Sequence, residues 1–235
     1  MSDLHDISIN GSGSSGGGTF NKVTIRGEGT LTENVTCKTL KTFGSSDIKE
    51  NVEADQISVF GESKIKGNCT APVLKVMGQL TVDGDLTSQT TKVRGSLEIG
   101  NNFRGDAADV KGELTVQGGA ELERLVLTGR LQVSGMLNAG DLDLQLKFDD
   151  SRVEEMGGEN IQVRRKNAPL PFGKTEGALQ AKVIEGDDLY LEYTKADIVR
   201  GKRVTIGKGC EINLVEYSQT LKKTGNPIVK EDRKI

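Results

Sequence analysis

Glycine recurs at positions 27, 44, 61, 78, 95, 112 and 129, a stride of 17 residues held without a slip. With 30 glycines in 235 residues, six further hits in a row have a chance on the order of 10⁻⁶ per starting point. A fixed period of this length marks one supersecondary unit stacked on copies of itself, each unit burying its apolar side only against its neighbours.

Apolar residues keep the same stride. Four positions after each glycine stand Leu31, Ile48, Ile65, Val82, Ile99, Val116 and Val133. Eight positions after come Val35, Val52, Cys69, Leu86, Phe103, Ala120 and Leu137, and ten after come the mostly small Cys37, Ala54, Ala71, Ser88, Gly105, Leu122 and Ala139. Thirteen after come Leu40, Ile57, Leu74, Thr91, Ala108, Leu125 and Leu142, and fifteen after come Thr42, Val59, Val76, Val93, Val110, Leu127 and Leu144. The spacing of two within each group is that of strands, and the 3–4 spacing of a helical stripe is missing.

A second turn signal falls six and seven positions after the glycine, as Glu33-Asn34, Glu50-Asn51, Gly67-Asn68, Gly84-Asp85, Asn101-Asn102 and Gly118-Gly119. Gly, Asn and Asp tolerate the positive φ that sharp corners use, so these pairs are expected to turn the chain that way. Three short strands per repeat predict a single-stranded parallel β-helix with triangular coils of about 17 residues. Its perimeter is roughly 56 Å, narrow enough for Val, Ile and Leu to fill, and each coil adds ~4.8 Å of length. The fold class is all-β.

Composition agrees with a narrow aliphatic core. Aromatics are 4% of the chain and tryptophan is absent. The net charge of −3, from 31 basic and 34 acidic residues, carries no global mark of a nucleic-acid binder. Cys37, Cys69 and Cys210 are widely spaced and form no zinc pattern, so they read as reduced core thiols. No apolar run approaches the ~18 residues of a membrane span, and the N-terminus lacks a basic segment followed by an apolar run.

The regular coils have irregular flanks. Phe20, Val23 and Ile25 fit a partial coil before Gly27, so residues 1–18, with the run GSGSSGGG, are expected to be a flexible tail and 19–217 the β-helix. Asp149 to Gly158 reads as a loop, and 164–177, holding two of the four prolines, as a surface insertion. Alternation returns through Leu189, Leu191 and Ile198, and Val204, Ile206, Ile212 and Leu214 are expected to form the last coil before a charged tail at 218–235.

The candidate catalytic and ligand motifs all have structural readings in this repeat. The one histidine, His5, lies outside the repeat, whereas acyltransferases on hexapeptide β-helices need a catalytic one. Asp83, Asp85, Asp106 and Asp109 lie at corners and read as solvated turn acids. Gly173-Lys174-Thr175 resembles the end of a phosphate loop, but Ala168 stands where its first glycine is required. The sequons at Asn34 and Asn68 fall on repeat corners and read as turns. Two basic clusters, Arg164, Arg165, Lys166 and Lys174, and then Arg200, Lys202, Arg203 and Lys208, contain no acid. They read as solvated charge first and as an anionic contact second. No catalytic, metal or cofactor site is expected.

The corners in VMGQLTVDGDLTSQTTKVRGSLEIG at 76–100, with GGENIQVRR at 157–165 and ADIVRGKRVTIGKGCEINLVEY at 196–217, resemble the bactofilins, bacterial polymer-forming cytoskeletal proteins. The resemblance covers most of residues 20–217. It implies a right-handed β-helix that polymerises in the cytoplasm without nucleotide or cofactor, as a scaffold in cell shape, envelope assembly or motility. The implied partners are the chain itself, other bactofilin-like subunits, envelope or motility proteins, and the inner face of the cell membrane as a peripheral contact, with no nucleic acid. The insertion at 164–177 departs from the short members of that family.

Polymer contacts are then expected at the two ends, through Phe20, Val23 and Ile25 at one and Val204, Ile206, Ile212 and Leu214 at the other. Phe43, Phe60 and Met77 recur 16 positions after successive glycines and form an outer apolar stripe suited to lateral or membrane contact. The alternatives are a non-polymerising module that binds a protein or glycan, and, third, a carbohydrate-active enzyme.

Overall fold

The computed structural model describes residues 4–147, 149–165 and 177–235. The described residues are 82% strand, wound into a parallel β-solenoid of about 13 turns with about 17 residues each. The first four strands are β1 (Asp6–Ser15), β2 (Gly18–Leu31), β3 (Val35–Ile48) and β4 (Val52–Ile65). One coil is split into β5 (Cys69–Thr70) and β6 (Val73–Val82), followed by β7 (Leu86–Ile99), β8 (Phe103–Val116) and the long β9 (Ala120–Leu146). The later coils are β10 (Ser151–Arg165), β11 (Leu179–Leu191), β12 (Thr194–Ile206), β13 (Glu211–Lys223) and β14 (Ile228–Lys234). Pro72 lies in the break between β5 and β6, as expected of a residue with no N–H to give to the ladder.

Every pairing is parallel and joins one coil to the next, so residues 17 apart stack from β2 to β9, as in Phe20↔Cys37 and Val110↔Leu127. The ladders at four, eight, thirteen and fifteen positions after the glycine are buried throughout, from Leu31 and Val35 to Leu142 and Leu144. Each fully buried Val, Ile or Leu contributes roughly 1.5–3 kcal/mol of transfer free energy. Phe103 is fully buried because its column gives it room: Ala120 stacks on it, and Gly105 stands two residues on.

A sixth inward column, which the apolar pattern of the sequence does not reveal, lies two positions after the glycine. It begins Gly29, Ser46 and Ser63 and continues as Leu80, Leu97, Leu114 and Leu131. Its polar start hides the pattern, yet the serines are satisfied inside the core. The hydroxyls of Ser46 and Ser63 are 2.7 Å apart and those of Ser46 and Thr42 are 3.1 Å apart.

The repeat glycines are required twice over. All seven have φ between 108° and 148°, and a Cβ on any of them would fall 1.8–2.5 Å from a backbone oxygen of the coil below. The second corner works differently from expectation. None of Asn34, Asn51, Asn68, Asp85 and Asn102 has positive φ; among the described residues only Tyr193 and Asn226 do so without being glycine. The side chains instead form a ladder. Asn51, Asn68 and Asp85 receive on Oδ1 the backbone N–H of the residue 17 further on, at 2.8, 2.9 and 3.0 Å. Gly67 and Gly84 fit beside it because a Cβ there would fall 2.5 and 2.3 Å from the ladder oxygen of the coil below.

The flanks differ from expectation. The segment read as a flexible tail at 1–18 contains β1, whose Ile7 and Ile9 stack on Val23 and Ile25. The loop read over Asp149–Gly158 is largely strand β10, and the tail read from 218 completes β13 and adds β14. Parallel pairing uses backbone groups alone, so Gly/Ser-rich and charged segments extend the ladder once a coil is there to template them. Coils outside the regular stretch differ in length: in the first, Asp6 pairs Lys22, an offset of 16, and in a late one Gly186 pairs Gly201, an offset of 15. Of the insertion read at 164–177, residues 166–176 lie outside the described residues, while Arg164 and Arg165 close strand β10.

Candidate assembly surfaces

The ends of the solenoid are not where the sequence sets them. Phe20 is 4% exposed, and its ring meets His5 edge-on at 5.2 Å. Val23 and Ile25 are buried beneath β1. At the other end Leu221 stacks on Val204, Lys223 on Ile206, Val229 on Ile212 and Glu231 on Leu214. The residues read as the two polymer interfaces therefore lie one coil inside each end.

The true ends are unlike each other. At the N-terminal end, among the described residues, β1 pairs with β2 alone, which leaves its other edge without a strand, with Leu4 exposed and Ile7 half-buried. At the C-terminal end the coil carries two charges at positions that are core one coil earlier: Lys223 over Ile206 and Asp232 over Val215. The two side chains form an ion pair with each other. A charged pair at the mouth of an apolar core opposes the burial of that end.

The outer stripe is where the sequence puts it. Phe43, Phe60 and Met77 stack in register, one per coil, at 40%, 38% and 57% exposure. The two rings are parallel within 3° at 5.0 Å, and the Arg26 guanidinium covers the outer face of Phe43 at 5.7 Å.

Three of the four residues of the second basic cluster pair with acids of the coils on either side. The run Glu185-Gly186-Asp187-Asp188 lies under Arg200-Gly201-Lys202-Arg203, and Lys202 meets Asp187 at 2.7 Å while Arg203 pairs with Asp188. Arg200 reaches Glu185 at 3.2 Å and Glu216 at 2.7 Å, and Arg233 of the last coil binds Glu216 again. Glu185, Arg200, Glu216 and Arg233 are thus a rail of alternating sign. Arg233 and then Arg200 hold the Glu216 carboxyl below the usual glutamate range. Lys208 lies 5.7 Å from the Tyr193 ring. In the first cluster Arg164 and Arg165 lie over Tyr190 and Tyr193, and Lys166, Lys174 and the Gly173-Lys174-Thr175 run fall outside the described residues.

Three of the four corner acids have structural partners. Lys64 pairs with Asp83 at 3.1 Å, Asp85 belongs to the asparagine ladder, and Arg94 chelates Asp109 at 2.9 and 3.2 Å. Among the described residues no three His, Cys, Asp or Glu side chains are placed to share a metal, and no helix is long and apolar enough to cross a membrane. The three thiols are free and buried. Burial pushes Cys69 up to about 12 and, with Asp55 beside it, Cys37 to about 11; burial likewise takes Cys210 to about 11.

Fold and surfaces define a repeat rod of the β-solenoid class. The chain is 53% identical over 220 residues to the uncharacterized protein YhbE of Bacillus subtilis (strain 168), an alignment covering 93% of each chain, and it belongs to the YhbE family. It is also 44% identical over 101 residues to the uncharacterized protein YhbF of the same organism, which spans 43% of this chain and 42% of YhbF. No protein-family model and no solved structure matches the chain.

Proposed function

We propose that this chain is a self-assembling scaffold rod that joins end to end through its terminal β edges and needs no nucleotide to do so. The observation that carries the reading is the edge of β1 away from β2, where the N–H and C=O groups of alternate residues have no strand partner among the described residues, beside Leu4 and Ile7. A second copy can continue that ladder and bury the apolar end in one step. The resemblance to bactofilins supports the same reading and adds a cytoskeletal role in cell shape, envelope assembly or motility.

The Lys223–Asp232 pair makes the C-terminal edge the weaker joint. It also favours a second reading, a rod that pairs once and then presents its flat faces to a protein or glycan. One rod of about 13 turns is roughly 60 Å long at the parallel-strand spacing. Electron microscopy and sedimentation velocity in buffer without nucleotide test both readings. Filaments support the scaffold, and particles of twice the rod length support the paired rod. A protein that stays a single rod at tens of micromolar, as does its Ile9→Lys variant, overturns self-assembly.

A further inference from the structure

One flat face of the rod has a charge opposite to that of the chain. Residues 12, 14 and 16 positions after each repeat glycine lie on the side of one strand opposite the buried residues at 13 and 15, with Thr24 and Ser58 covered there by their neighbours. Over six consecutive coils these positions form three columns in register. The first starts at Lys22 and ends at Ala107. The second runs Thr24, Lys41, Ser58, Lys75, Lys92 and Asp109, and the third runs Arg26, Phe43, Phe60, Met77, Arg94 and Lys111. The face thus holds seven basic residues and one acid in a chain of net charge −3. The acid, Asp109, is held by Arg94.

The apolar stripe belongs to this face. Arg26 and Arg94 bracket Phe43, Phe60 and Met77 in their own column, and Lys41, Lys75 and Lys92 stand in the column beside them. This arrangement selects among occupants. A second copy turned about Phe60 would bring arginine onto arginine, which repels. A nucleic acid would need free ring faces for base stacking, but Phe43 and Phe60 cover one another and Arg26 covers the other side of Phe43. The rings point edge-outward, the orientation in which a column of side chains enters the boundary between headgroups and acyl chains while the lysines meet phosphates.

We infer that this face is a docking surface for an anionic lipid bilayer, with Phe43, Phe60 and Met77 inserted and the surrounding Lys and Arg side chains on the headgroups. The contact does not require self-association, although an assembled rod would repeat it along the surface and so strengthen it.

The test is flotation of the full chain with phosphatidylcholine vesicles, with and without about 30% phosphatidylglycerol. Binding is expected only to the anionic vesicles and to fall with salt. Each basic side chain near such a leaflet is worth about fivefold, so Lys41→Glu, Lys75→Glu and Lys92→Glu together are expected to weaken binding at least about 100-fold. The matched set Lys38→Glu, Lys66→Glu and Lys230→Glu, on other parts of the surface, is expected to weaken it far less. Phe43→Ser, Phe60→Ser and Met77→Ser together are expected to abolish binding at about 0.15 M salt, where screening has weakened the charges. The circular dichroism of each variant reports whether the rod is intact, and the lysine sets decide the matter should the serine variant unfold. Absence of binding to anionic vesicles, equal effects of the two lysine sets, or tighter binding to a single-stranded oligonucleotide than to the vesicles overturns the inference.

Discussion

Asn68 Oδ1 accepts the backbone N–H of Asp85, 17 residues further along the chain, at 2.9 Å. The bond ties one coil to the next at a corner where the strand ladder itself is interrupted. Asp85 repeats the arrangement one coil later with a carboxylate, taking the N–H of Asn102 at 3.0 Å.

Replacing Asn68 by Ala therefore removes an acceptor without touching the core. The expected cost is about 1 kcal/mol, read from urea denaturation. Asn68→Asp restores an acceptor and is expected to recover most of the loss. If Asn68→Asp is as damaging as Asn68→Ala, the ladder is not what holds the corner.

The seven repeat glycines make a different demand. At Gly95 φ is 134°, and a Cβ would fall 2.0 Å from the Gly78 carbonyl oxygen. Gly95→Ala adds about 1–3 kcal/mol of backbone strain before the clash is counted. At Gly16 the nearest atoms are Glu33 side-chain atoms at 3.9 Å, and φ is not positive. Gly16→Ala is expected to leave thermal stability within about 0.5 kcal/mol of the parent, while Gly95→Ala lowers the melting temperature clearly. Equal effects of the two would remove the steric account of the repeat.

The contrast between the two corners shows what a sequence of this kind exposes. The glycine stride and five of the six inward columns are plain in the letters, because a solenoid repeats its environment and the repeat amplifies a weak local signal. The column of Gly29, Ser46 and Ser63 escapes because its first coils are polar. The Asn corners mislead in mechanism rather than place, since turn propensity cannot tell a residue with positive φ from one whose side chain bonds the next coil.

Both ends escape for another reason. Ile7 and Ile9 alternate correctly, but two apolar residues in a Gly/Ser-rich run do not outweigh its composition. Nor does the 17-residue stride pair EGDD at 185–188 with RGKR at 200–203, because those coils run at an offset of 15. The basic run thus reads as unopposed charge. The apolar stripe of Phe43, Phe60 and Met77 was legible because it lies within the regular coils.

The rail of Glu185, Arg200, Glu216 and Arg233 gives the last coils a dependence on pH. Glu216 is buried, and Arg233 and Arg200 depress its folded-state pKa below that of the unfolded chain. Its contribution to stability is full above the unfolded glutamate range and is lost as pH falls through the depressed folded value. Hydrogen exchange of β13 and β14 is therefore expected to speed up, relative to β7 and β8, as pH is lowered from neutral through that range, after correction for intrinsic rates. In Glu216→Gln this relative change is expected to be much smaller. A parent whose last coils lose no protection relative to β7 and β8 would rule out the rail as their fastening.

The charged pair at the C-terminal mouth offers the sharpest handle on assembly. Lys223 stacks on Ile206 and Asp232 on Val215, both buried, while Leu221 and Val229 at neighbouring inward positions already pack on the core. Among the described residues these are the two charges of the last coil that stand over buried apolar side chains of the coil below. The double change Lys223→Leu with Asp232→Val continues two core columns outward, and it leaves the backbone pairing of β13 and β14 in place. Nearest-neighbour stacking means that coils further in feel little of it. The variant is expected to keep the parent's β-type circular dichroism and to self-associate at least about tenfold more tightly in sedimentation equilibrium, a gain of about 1.4 kcal/mol or more. Asp232→Val alone leaves Lys223 without its partner over the core and is expected to associate no better than the parent. A double variant whose association matches the parent's would mean that the C-terminal end takes no part in assembly, leaving the β1 edge to carry it.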